Sequence, residues 1–164
     1  MKASQVTGLD FFGISVAVSG DTVVVGAIGE DSSTSGINST ANELASSSGA
    51  AYVFVRSGTV WSQQAYLKAS QVSASDNFGN SVAVSGNTVV VGSPQEDSGT
   101  AGINSTPDEL AGNSGAVYVY VRSGTAWTQQ AYLKSDQVLA NNLFGTSVAV
   151  SGDTILVGTP QEDS

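Results

Sequence analysis

The stretch FGISVAVSGDTVVVG, residues 12–26, decides how this chain is read, because it occurs three times. It returns as FGNSVAVSGNTVVVG at 78–92 and as FGTSVAVSGDTILVG at 144–158, with a spacing of 66 residues each time. Within it, Val16 and Val18 alternate with small residues over Ser15–Ser19, the period-two pattern of a strand. Ser19-Gly20-Asp21 is a tight-turn sequence, so Thr22–Gly26 is predicted to return as a hairpin partner. Self-similarity at a fixed spacing is the signature of one supersecondary unit stacked on copies of itself.

The rest of the unit repeats as well. GINST at 36–40 recurs at 102–106, and WSQQAYLKASQV at 61–72 recurs as WTQQAYLKSDQV at 127–138. A third strand is predicted over Ala51–Arg56, with Tyr52, Phe54 and Arg56 on one face and Val53 and Val55 on the other. After the turn Ser57-Gly58-Thr59, a fourth strand is expected over Trp61–Lys68, with Tyr66 opposite Ala65 and Leu67. The chain therefore reads as one repeat domain over 1–164, with units at 3–68 and 69–134 and a partial unit at 135–164. A repeated four-stranded antiparallel meander is an all-β propeller blade. One such sheet cannot bury both of its apolar faces alone, so neighbouring blades must stack. A β-solenoid is the alternative architecture, but its coils are usually shorter and need no hairpin turn such as Ser85-Gly86-Asn87.

Composition narrows the function. Five basic residues against 14 acidic ones give a net charge of −9, which argues against a nucleic-acid partner and against attraction to anionic membranes. The chain has no Cys and no His, and so lacks thiolate chemistry, the commonest general base and the commonest transition-metal ligand. No apolar run approaches the ~20 residues that span a bilayer, so no membrane insertion is expected. The N-terminal MKASQVTGLD has no apolar signal core, so an export signal would lie outside this chain.

Phe-Gly opening the unit (Phe12-Gly13, Phe78-Gly79, Phe144-Gly145), then Val-Gly-Ser/Thr-Pro and Gly-Ala-Val-Tyr-Val, resembles the FG-GAP repeat of integrin α-chain propellers. The wording is closer still to the bacterial-type subgroup of that family. The resemblance implies a first strand nearest the propeller axis and an outermost fourth strand carrying Trp61 or Trp127. It also implies that the strand 2–3 and strand 4–1 loops share the face that integrin propellers use for partners. Two departures matter. Pro94 and Pro160 match the motif proline, whereas the first copy has Ile28. The family's Asp-rich calcium loop between strands one and two shrinks here to Gly20-Asp21, Gly86-Asn87 and Gly152-Asp153. Calcium takes about 6–8 oxygen ligands, which so short a turn cannot supply.

Several repeated polar positions are candidate sites. Glu30-Asp31-Ser32, Glu96-Asp97-Ser98 and Glu162-Asp163-Ser164 follow strand two. One reading is a calcium site around Asp31, Asp97 and Asp163, completed by Glu43 or by Asp108 and Glu109. The other is a loop cap in which Asp and Ser take backbone N–H groups. Asp10 and Asp76, matched by Asn142, read as turn-formers. The long loops at about 29–48 and 95–113 are the best partner-binding candidates, through Glu30, Asp31, Asn38, Glu43, Glu96, Asp97, Asn104, Asp108 and Glu109. Asn42–Ala45 and Asp108–Ala111 are each long enough for one helical turn. Asn38-Ser39-Thr40 and Asn104-Ser105-Thr106 match the glycosylation sequon, which duplication alone would copy. Trp61 and Trp127 fit inter-blade packing better than sugar stacking.

No catalytic constellation emerges, so the expected function is non-enzymatic: an adhesion-type module, extracellular or at the cell surface, whose loops bind a protein or glycan. A structural or engineered scaffold that completes its blades by self-assembly is the alternative, and a propeller attached to an enzyme is a third. The strand order 1-2-3-4, 1-2-3-4, 1-2 leaves an unpaired edge at Thr154–Gly158, from which homo-oligomerisation is expected.

Overall fold

The computed structural model describes residues 1–5 and 8–161. The first sheet holds β1 (Val16–Ser19), β2 (Thr22–Ala27), β3 (Ala50–Ser57) and β4 (Val60–Leu67), in that order. The second repeats it with β5 (Ser81–Ser85), β6 (Thr88–Ser93), β7 (Ala116–Ser123) and β8 (Ala126–Leu133). A final hairpin joins β9 (Ser147–Ser151) to β10 (Thr154–Gly158). All pairings are antiparallel between sequence neighbours, so each sheet is a meander and the chain holds about two and a half blades. Among the described residues no helix is long and apolar enough to cross a membrane.

The blades fan out from their first strands. β1 lies beside β5, and β5 beside β9, while β4 and β8 do not approach each other in this way. The core between the two full blades takes Val24, Ala51, Val53, Ala65 and Leu67 from one, and Val82, Val84, Val89, Tyr118, Tyr120 and Trp127 from the other. Alternation along each strand thus supplies a small aliphatic face on one blade and an aromatic face on the next. Phe78 is fully buried in this layer, edge-on to Tyr118 with ring centroids 5.3 Å apart.

The motif glycines are where one blade's backbone crosses the next. A Cβ at Gly26 would stand 1.9 Å from the Gly79 carbonyl oxygen of the following blade. At Gly49, where φ is +80°, it would stand 2.1 Å from the Phe78 carbonyl oxygen. The Phe-Gly segment therefore docks against two points of the preceding blade that tolerate no side chain.

One feature of the outer strand is not readable from alternation. Val53 pairs with Ala65 but Phe54 pairs with Gln63, so Gln64 is an extra residue, a β-bulge; Gln130 repeats it in β8. The bulge shifts the period by one and brings Trp61 opposite Arg56, on the same face as Tyr66. Arg56 stacks over the Trp61 ring at 5.6 Å, and Arg122 over Trp127 at 5.2 Å.

Candidate functional site

The strand 2–3 loop does not hang free. Residues 36–38 fold back along the end of β4: Asn38 N–H donates to the Tyr66 carbonyl at 2.8 Å, and Lys68 N–H to the Gly36 carbonyl at 2.8 Å. Asn38 sits at φ 55° and its Oδ1 accepts from Tyr66 N–H at 2.9 Å; Asn104 does the same for Tyr132. Both sequon asparagines thus cap the outer strand, in the left-handed conformation that Asn tolerates best after Gly.

The repeated acidic triplet divides its work. Glu30 is buried, with Oε2 2.6 Å from Lys68 Nζ and Oε1 accepting the Tyr66 hydroxyl at 2.6 Å. Lys68 spends its other donors on Ser48 Oγ at 2.8 Å and the Gly49 carbonyl at 2.6 Å. The second blade copies this with Glu96, Lys134, Tyr132 and Ser114. Burial pushes Lys68 and Lys134 down, against the opposing pull of their glutamates. Burial, and after it the hydrogen-bonded Glu30 carboxylate, drives the Tyr66 phenol far above its ordinary value.

Asp31 Oδ1 accepts Ser47 N–H at 2.7 Å, and Asp97 Oδ1 accepts Asn113 N–H at 2.7 Å. Ser32 Oγ binds Thr34 Oγ1 and accepts from Asn42 N–H, closing the loop base. Asp108 Oδ1 accepts from Gly99 N–H at 2.7 Å, and Glu109 Oε2 accepts the hydroxyl of Ser73, in the preceding strand 4–1 loop, at 2.9 Å. The triplet is therefore a set of loop caps built around an internal ammonium group. Among the described residues no three acidic side chains converge as a metal cage. Asp163 lies outside the described residues. The helical turn expected at Asn42–Ala45 and Asp108–Ala111 is absent, because Glu43 and Glu109 stand at φ 55° and 57° and break a right-handed turn.

Strand 4–1 loops lie against strand 2–3 loops. Ser75 N–H donates to the Ser46 carbonyl at 2.8 Å, Asn77 pairs with Gln95, and Asn113 donates to Asn141 at 3.2 Å. In the second of these joints Asp76 is buried, its Oδ2 accepting Ser73 N–H at 2.9 Å as a turn-former does. Its Oδ1 has no hydrogen-bond partner, and neither has the Tyr118 hydroxyl. Burial, followed by the neighbouring Glu109, Glu96 and Asp97 carboxylates, pushes Asp76 up to about 8, while the Ser73 N–H pulls the other way. The equivalent Asn142 donates its Nδ2 to the Gln137 carbonyl at 3.1 Å.

Sequence reasoning ended the fourth strand at Lys68 without finding its partner, because a contact between residues 38 apart leaves no periodic signal. A signal was nonetheless present: the five basic residues are Lys2, Lys68 and Lys134, and Arg56 and Arg122, all at repeat-related positions.

The FG-GAP repeat model matches residues 1–54, 61–120 and 127–164. The chain belongs to the FG-GAP repeat family. The second match runs from β4 of one blade to β7 of the next, and the joint between Gly49 and Phe78-Gly79 brings the first and second matches together. Among curated proteins none matches the chain.

Proposed function

We propose that this FG-GAP chain is a non-enzymatic binding module of a secreted or cell-surface protein, and that its ligand is a protein held by the strand 2–3 and 4–1 loops. The observation that carries the reading is a pair of leucines at equivalent loop tips. Leu44 and Leu110 are 77% and 80% exposed, each directly after a glutamate in left-handed conformation. Backbone held in that region by a surrounding network is characteristic of presented surfaces. The caps from Asp31 and Asp97 fix both loops, so little entropy is lost when a ligand docks.

The ligand's chemistry follows from the same face. Asp31, Glu43, Asp97, Asp108 and Glu109 lie in the two strand 2–3 loops, with no Lys or Arg in either. A partner with basic groups beside an apolar patch complements it. Neither loop has an aromatic ring on which a sugar could stack, which favours protein over glycan. The Glu–Lys pairs and the Asp caps recur from blade to blade with equivalent partners, which supports a contact role over a single reaction centre. Solid-phase binding to a panel of matrix proteins and polysaccharides tests this. The double variant Leu44→Ser with Leu110→Ser should lose binding while keeping its melting temperature; retained binding would sink the reading.

A further inference from the structure

Three loops meet at Asp76. The strand 4–1 loop that carries it is wedged between the strand 2–3 loops of the two full blades. Toward the first, Ser75 N–H donates to the Ser46 carbonyl at 2.8 Å and Asn77 N–H to the Ser47 carbonyl at 3.1 Å. Toward the second, the Ser73 hydroxyl donates to Glu109 Oε2 at 2.9 Å, and the Ser93 hydroxyl, at the end of β6, donates to the Asp76 carbonyl at 2.9 Å. These are single bonds between loops rather than ladders, so the wedge can open without the sheets.

Asp76 is 2% exposed at the centre of this wedge. Its Oδ2 accepts Ser73 N–H, and its Oδ1 has no partner. A carboxylate with one donor is costly to keep out of water, and the neutral carboxyl far less so. Glu96, Asp97 and Glu109 face it from the following loop, Tyr118 from β7, and Lys68 from the end of β4. Lys68 cannot neutralise it, because its donors are taken by Glu30, Ser48 and the Gly49 carbonyl.

We propose that Asp76 is a proton-operated latch: with its carboxyl neutral the strand 4–1 loop stays wedged, and on ionisation that loop parts from the strand 2–3 loop bearing Leu110. The blades stay folded, because they are joined elsewhere, through Phe78 and Tyr118 in the core and through Phe78 N–H on the Ser48 carbonyl. The latch does not rest on the binding reading of these loops. Its sign follows from the open form, in which Asp76 regains water and ionises in the ordinary range. Opening therefore becomes easier as pH rises from 3.8 to about 8, and levels off above. The third unit has the same joint without the latch. There the buried Asn142, which cannot ionise, donates Nδ2 to the Gln137 carbonyl, and Asn141 N–H donates to the Gly112 carbonyl at 2.9 Å.

Amide exchange of the whole chain by NMR, corrected for the intrinsic rate at each pH, tests the latch. From pH 5 to 8 the protection of Ser75 and Asn77 should fall by up to about tenfold per pH unit. Their counterparts Asn141 and Leu143 should hold steady, and so should Ser75 and Asn77 in Asp76→Asn. Val90, inside β6, should stay at least about a hundredfold better protected than Ser75 throughout. The comparison of joints within the parent chain decides the matter even where the variant folds poorly. Protection at Ser75 that is flat with pH, that falls equally at Asn141, that keeps its slope in Asp76→Asn, or that matches Val90 would each overturn the proposal.

Discussion

Lys68 Nζ lies 2.6 Å from Glu30 Oε2 with both residues out of solvent, and Lys134 repeats the contact with Glu96 at 2.7 Å. The pair ties the start of the strand 2–3 loop to the end of the outer strand, and through Ser48 to the loop's return. Lys68→Met leaves the Glu30 carboxylate buried without its cation, a change that costs roughly 3–5 kcal/mol. Thermal melting should show a drop of about 6–20 °C. Adding Glu30→Gln should recover a large part of it. A single variant that melts within about 2 °C of the parent would mean the pair carries little stability.

Asp76 predicts a pH dependence of definite sign. Its folded value, about 8, lies above the ordinary carboxylate value of 3.8, so folded chains hold a proton that unfolded ones release between those limits. The contribution of Asp76 to stability is greatest below pH 4 and is lost as pH rises to 8, at up to about 1.4 kcal/mol per unit. Asp76→Asn should imitate Asn142 and remove this slope. Chemical denaturation of both proteins from pH 5 to 8 reads the difference, which should widen in the variant's favour with rising pH. A constant difference would show that the carboxyl titrates normally.

Two tyrosines at neighbouring positions should respond oppositely to loss of the hydroxyl. Tyr132 donates to Glu96 at 2.7 Å, whereas the buried Tyr118 hydroxyl has no partner. Tyr132→Phe should cost about 1–3 kcal/mol, since it strips a buried carboxylate of a donor. Tyr118→Phe should be neutral or stabilising. Urea unfolding separates the two, and equal losses would contradict the hydrogen-bond assignment.

Much of the fold is legible in the sequence. Val-Ala-Val with a Ser-Gly-Asp turn places the first hairpin to within a residue or two, because alternation and turn chemistry are local. The four-stranded blade follows from the repeat. The bulge is not legible, because in Gln63-Gln64 nothing local says which residue leaves the ladder. The left-handed Glu43 is hidden for a similar reason: its backbone is set by the Asp31 cap on Ser47, not by its own propensity. The Glu30–Lys68 pair joins residues far apart in sequence, so only the shared 66-residue spacing of the lysines hints at it. In those acidic triplets repetition points to loop caps ahead of a cation, and the lysine each glutamate pairs with is not legible from the triplet itself.

The most direct measurement is therefore a pair of melts at neutral pH, one with about 1 mM calcium and one with excess chelator. If Glu30 and Glu96 are satisfied by Lys68 and Lys134, and Asp31 and Asp97 by loop N–H groups, the two midpoints should coincide. A calcium site filled at 100 times its dissociation constant would add about 2.7 kcal/mol, a rise of roughly 5–10 °C. A saturable rise of that size, abolished by Asp31→Asn with Asp97→Asn, would contradict the account.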